Sequence, residues 1–484
     1  MSRWMILVPG WSWVGLALWA TPAPAGSPSP TYYKDVAAIL QKNCQECHRP
    51  GQVAPFPLLT YEHARKRAGD LAEVTGSKQM PPWPAATAFG GPFRDQRVLS
   101  EAEISVIRAW ADAGAPEGDP KDAPPPRTYS SDWPLGEPDL VLTMPEPYPL
   151  EASGDDEFRV FVLKTDLPED RWIRAVDFKP GNRKVVHHVI AAVDSSGAAR
   201  ERDEKDPKPG YEAVGGFGQG VPIRAFLPIW TPGAKARKPP EGAGYLLPKG
   251  ADVLIQLHYH KSGKPEHDAT TIGLYLSGKP LSRQLRTGFV FPSVPPLQML
   301  KLTAKAKAAQ ATRDRRPDLT EMMRDVLVIP AGATNHEVKG STAGGGMGRP
   351  LQRDVLVTSV MPHMHWRGKD FTFWAVLPDG KKTRVPLIKI DHWNFNWQGT
   401  YAFAEPVLLP KGSWLEYEAH FDNSAGNPAN PDKPPRQITW GDGTNDEMCL
   451  GIFEFVAVDG DDRPPQNPNS NQARPGESKA STRP

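Results

Sequence analysis

The sequence predicts a multidomain chain: a small all-α domain followed by two all-β domains, each an antiparallel, jelly-roll-like β-sandwich. Three observations carry that expectation. The N-terminal part has helical periodicity and helix caps. Beyond residue 137 the texture changes to short alternating apolar runs separated by turn residues, the pattern of antiparallel sandwiches. The composition, with 54 Pro and 43 Gly beside 39% hydrophobic residues, favours many turns and short strands around real cores over long helices. A length of 484 residues also exceeds one ordinary domain.

Taken in order, residues 1–25 read as an export signal. Arg3 supplies the positive start, Trp4 to Trp19 the apolar stretch, and Ala23-Pro24-Ala25 a small-x-small cleavage pattern. The alternative, an uncleaved membrane anchor, is disfavoured because Pro9 and Gly10 interrupt a stretch already short for a span. The expected location is therefore periplasmic or secreted, with no stable membrane insertion after cleavage. Residues 31–117 form the helical unit. One helix runs from Tyr32 through Leu40, and a second spans Glu101 to Ala113. Ser100 and Glu103 are placed as its capping box, Gly114 as its stop, and Ile104, Ile107 and Trp110 as its apolar face. A Pro-rich linker over 118–137 includes Pro124-Pro125-Pro126.

The strand-like runs include Phe158–Leu163, Lys184–Val193, Ala251–Tyr259, Asp354–Met361, Phe371–Leu377, Trp414–Phe421 and Leu450–Val456. They are divided into sandwiches over 138–285 and 286–460, with a Lys/Ala/Arg-rich insertion at Ala304–Arg316 near the break. The polar, Pro-rich stretch 461–484 is expected to be a disordered tail. Net charge is balanced, 57 Lys+Arg against 56 Asp+Glu, and no basic block points to nucleic acid.

The chain has only three cysteines, so disulfides do not hold this exported protein together, and chemistry must explain them. Cys44-Gln45-Glu46-Cys47-His48 is the C-x-x-C-H signature of covalent c-type haem attachment, in which both thiols form thioethers and His48 reaches the iron. A zinc half-site lacks a second ligand pair nearby, and a redox dithiol is the other competing assignment. Met80, in the rigid run Gln79-Met80-Pro81-Pro82-Trp83, is the expected sixth iron ligand, since a thioether there suits electron transfer. His63, in a charged stretch, is expected to be solvated. This unit resembles a class I cytochrome c.

Among the twelve histidines, three clusters stand out in strand-like runs: His187-His188, His258 with His260, and His363 with His365. Residues two apart on a strand share a face, so His363 and His365 can converge on one ion. The adjacent His187 and His188 can do so only where the strand bends or ends. Such a set suits copper or zinc.

On these clusters, together with Phe178-Lys179-Pro180 and Thr444-Asn445-Asp446-Glu447-Met448-Cys449, residues 138–460 resemble the copper type II, ascorbate-dependent monooxygenases. That family includes peptidylglycine alpha-hydroxylating and dopamine beta-monooxygenase. The resemblance implies two β-sandwiches, each holding one copper, that face each other across a solvent-filled cleft. It assigns His187, His188 and His258 to an electron-transferring copper. His363, His365 and Met448 fall to an O2-binding, catalytic copper, and His260 is left outside the ligands. It also implies two coppers, O2, a small organic substrate, and an electron donor such as ascorbate or a redox protein.

The chain departs from the family pattern at Met361, where an Arg anchors a substrate carboxylate. It departs again at Leu450 and Ile452, where Asn and Tyr are usual, so a less polar substrate is expected. Cys449 stands where the family has a bridged cysteine but has no partner. The expected activity is C–H hydroxylation with O2, with electrons supplied through the one covalent haem, ascorbate, or both. The rivals are a non-enzymatic electron carrier with copper-binding modules, and an oxidase or peroxidase working at the haem.

Overall fold

The computed structural model describes residues 29–129, 133–295, 298–304, 323–343 and 349–459. The export signal, all but the first residue of the Ala304–Arg316 insertion, and the 461–484 tail lie outside the described residues.

Alternating apolar residues build two sandwiches. In the first, a five-stranded sheet runs in the spatial order Tyr211–Glu212, Glu157–Lys164, Asp252–Tyr259, Val186–Asp194, Ala225–Phe226. Its central strand, Asp252–Tyr259, is buried along its whole length and pairs antiparallel on both sides. A second five-stranded sheet, centred on Arg171–Lys179 and Thr271–Leu276, packs against it. The second sandwich pairs a four-stranded sheet with a five-stranded one. The four-stranded sheet has the order Arg286–Val290, Cys449–Ala457, Val355–Met364, Tyr401–Leu409. The five-stranded sheet is centred on Gly368–Val376 and Trp414–Phe421. Phe371, Phe373, Tyr417 and Val360 fill the core between these two sheets, and almost none of their surface is exposed.

The N-terminal unit contains a single π-type turn at Tyr32–Val36 and helices Ala37–Asn43, Tyr61–Arg65, Ala68–Gly76 and Glu101–Asp112. The last of these begins with both arms of the Ser100/Glu103 capping box and buries Ile104, Ile107 and Trp110. The unit departs from a self-contained helical domain ending at 117. Residues Ala85–Gly90 form a strand on the edge of the second sandwich, where Ala85 pairs with Ile390, and Phe93 bridges to Phe403. Alternation in Ala-Ala-Thr-Ala-Phe-Gly is weak, and the strand exists because an open sheet edge offers it partners. Among the described residues, no helix is long and apolar enough to cross a membrane.

Candidate functional site

The first cluster depends on an irregularity in strand pairing. His258 pairs with His188 but Tyr259 pairs with Val186, so His187 is an extra residue bulged out of the ladder. A bulge bends its strand and re-aims a side chain. Two adjacent histidines therefore reach the same side. The ligand nitrogens of His187, His188 and His258 all lie within 4.8 Å of one another. His258 Nε2 lies 2.9 Å from the Asp156 carboxylate. A carboxylate accepts, so this nitrogen carries the proton and Nδ1 keeps its lone pair. That Nδ1 lies 3.4 Å from His188 Nδ1. Two nitrogens bound tetrahedrally at about 2.0–2.1 Å from one ion would sit ~3.3 Å apart.

Asp156 also contacts His260 Nδ1 at 3.0 Å and accepts from the Thr444 hydroxyl, which belongs to the second sandwich. Burial alone would raise the Asp156 carboxyl, but these bonds hold it well below the usual range.

The second cluster lies on one face of two neighbouring strands. Met361 pairs with Ile452 and His363 with Leu450; Met364 pairs with Cys449 at the end of the ladder. Because side chains alternate, Met361, His363 and His365 share a face with Ile452, Leu450 and Met448. His365 Nδ1 lies 3.1 Å from the Asp446 carbonyl oxygen, so Nε2 keeps the lone pair. Below it, the fully buried Glu447 accepts from the backbone N–H groups of His365 (2.9 Å) and Arg367 (2.6 Å). Burial pushes Glu447 up to about 7 despite these bonds. The Arg367 guanidinium, with no exposed surface, reaches Asp432 at 2.6 Å and the Asn445 carbonyl at 2.9 Å. This network clamps the His-x-His strand to the loop that carries Met448.

Burial is the main cause of lowered histidine pKa values at both clusters, and neighbouring imidazoles add to it in all four cases below. His187 is pushed down to about 3 and His363 to about 4, although Gln398 opposes the shift at His363. His188 and His365 lie well below the ordinary value. Neutral imidazoles are the ligand form.

A single phenyl ring, Phe395, spans the gap between the clusters, 4.7 Å from the His187 ring and 5.7 Å from that of His365. Beside it lies a cavity of about 320 Å³ whose wall includes His188, His363, His365 and Met448. The rest of that wall is largely aromatic and aliphatic.

In the N-terminal unit, Cys44, Cys47 and His48 follow helix Ala37–Asn43 in a tight turn, and the Cys47 and His48 N–H groups donate to the Cys44 carbonyl at 3.1 and 3.0 Å. His48 Nδ1 lies 3.1 Å from the Phe56 carbonyl oxygen, leaving Nε2 free to ligate. Burial pushes the Cys44 thiol up to about 12 and raises Cys47 as well. Met80 follows helix Ala68–Gly76, half-buried, its N–H donating to the Val74 carbonyl at 3.0 Å. His63 differs from expectation: it is half-buried and its Nδ1 is buried with no hydrogen-bond partner.

The Cys44–His48 segment sits against the first sandwich. Glu46 pairs with Lys235 at 2.6 Å, and Arg97 donates to the Gly233 carbonyl at 2.9 Å. Trp230, on the same loop, pairs its backbone with Val189, the neighbour of His188. Pattern reading missed this loop, Asp156 and Phe395, because nothing in their local sequence marks them. None of the three cysteines is disulfide-bonded, and Cys449 is completely buried.

No family model matches the chain, and no curated protein matches it. Solved structures with some likeness include the major capsid protein P2 of bacteriophage PM2 (TM-score 0.23, 11% identity, 66% of this chain and 97% of that one). Another is allantoicase (TM-score 0.16, 10% identity, 59% and 77%). At such scores neither likeness bears on function.

Proposed function

We propose that this chain is an exported copper-dependent monooxygenase that hydroxylates a C–H bond and draws electrons through its own covalent haem, with or without ascorbate. The observation that carries the reading is the convergence of two histidine sets from two sandwiches on one gap, each set held by outer hydrogen bonds. His187, His188 and His258 would hold one copper, while His363, His365 and Met448 would hold the other, where the thioether favours Cu(I). Copper there would supply one-electron chemistry and O2 activation: one oxygen atom enters the C–H bond, the other leaves as water, and two electrons and two protons are consumed.

The chain's own contribution is positional. Asp156 fixes the His258 tautomer, and the Asp446 carbonyl fixes that of His365. The Glu447–Arg367 clamp holds the second ligand set, and the apolar wall excludes water. At the other end, Cys44, Cys47 and His48 fit a thioether-linked haem, with Met80 as the proposed sixth ligand. Their raised thiol pKa values favour this over a redox dithiol, whose attacking cysteine is normally depressed. Haem would supply one-electron storage.

Metal analysis with visible and EPR spectra of the purified protein and of Met448→Ala tests the proposal. The expected result is one c-type haem and two coppers in the wild type, with Cu(I) affinity at one site falling about tenfold or more in the variant. A protein with one haem and no tightly bound copper would overturn it in favour of an electron carrier.

A further inference from the structure

The cavity beside the second histidine set says more about what enters it than about the metals. It encloses about 320 Å³, roughly twice the ~150 Å³ space that takes up benzene in a protein interior. The three positions where the chain departs from the monooxygenase pattern, Met361, Leu450 and Ile452, share the strand face of the histidines and lie in this wall. Phe289 and Phe291 are also in it, and among the wall residues the only formally charged side chain at neutral pH is Asp442. Among the wall's side chains a ligand carboxylate would find no cation to offset the cost of desolvating it.

We propose that this cavity is the binding site for an uncharged, mainly aromatic or alkyl molecule of bicyclic size. The inference rests on the monooxygenase reading only in calling that molecule the substrate; its occupancy of the cavity follows from the wall alone.

The test is calorimetric titration of the full-length protein, oxygen-free, as purified and again after copper removal. The probes are 1-naphthol, naphthalene and 1-naphthoate. Expected results are saturable 1-naphthol binding in both states and at least thirtyfold weaker binding of 1-naphthoate. Leu450→Trp, which fills the cavity, should abolish 1-naphthol binding. Naphthalene should bind within a few-fold of 1-naphthol, since the wall recognises apolar shape. Naphthoate binding as tightly as naphthol, or naphthol binding undisturbed by both Leu450→Trp and Ile452→Trp, would overturn the proposal. Copper-loaded protein that ignores naphthol would sink the cavity inference alone. A protein that holds no tightly bound copper as purified, yet binds naphthol, would sink the monooxygenase reading and leave the cavity inference standing.

Discussion

Asp156 touches His258, His260 and Thr444, so one half-buried carboxylate joins the first ligand set, a neighbouring imidazole and the opposite sandwich. Carboxylates in this position orient a ligand imidazole and raise its basicity, and removing one typically weakens metal binding 10- to 100-fold. Asp156→Asn should therefore lower copper affinity at the His187/His188/His258 site by about that factor, measured by competition with a copper chelator. The EPR signal of the other site should not change. Equal affinity in variant and wild type would remove Asp156 from the metal site. His363 and His365, like His187 and His188, are held neutral chiefly by burial.

Within single elements, small residues fix how closely sheets approach. Gly340 lies in strand His336–Ser341, where an added Cβ would meet the Tyr417 ring and come within 2.6 Å of the Phe291 carbonyl oxygen. Both neighbours are held, Tyr417 in the core and Phe291 beside the cavity. Gly340→Ala is expected to destabilise by about 1–3 kcal/mol through overpacking. Gly69, in helix Ala68–Gly76, has nothing within 4 Å of an added Cβ. There Gly69→Ala should stabilise by about 0.5–1 kcal/mol, because alanine loses less backbone entropy in a helix. Denaturant titration of both variants checks the pair, and a shift of the same sign in both would contradict it. The bulge at His187 belongs to this scale too, since deleting it would return His187 to the ladder and turn it from the site.

Across the molecule, the two sandwiches and the N-terminal unit are tied at several points. Glu454 of the second sandwich accepts from Tyr245 of the first at 2.6 Å, and Thr231 donates to the Gln398 carbonyl at 2.8 Å. The Ala85–Gly90 strand anchors the N-terminal unit to the second sandwich, and the Glu46–Lys235 pair anchors it to the first. Such docking predicts electron transfer within one chain. Reoxidation of reduced haem should be faster with copper and O2 present, at a rate independent of protein concentration, in stopped-flow measurements. Lys235→Glu should slow that step and the added Glu46→Lys should restore it; an exposed pair contributes about 0–1 kcal/mol, so only a several-fold change is expected. Reoxidation indifferent to copper would exclude the relay.

Short-range pattern sufficed wherever one element carries the information. The alternation of Trp414–Phe421, the capping box of Glu101–Asp112 and the His-x-His pair on one strand face were all legible, because side-chain period and cap chemistry are local. The sequence by itself thus determined a β-rich body, the positions of the histidine clusters and the attachment motif. Only the tertiary structure decided which groups meet. The bulge that turns His187 depends on the pairing of Asp252–Tyr259 with Val186–Asp194. The place of Asp156 depends on two sandwiches closing over it. The strand at Ala85–Gly90, read as part of a helical unit, depends on a sheet edge whose Arg384–Ile390 partner lies far along the chain. Each is a contact between distant segments, formed by burial and backbone pairing, and local periodicity carries no trace of it.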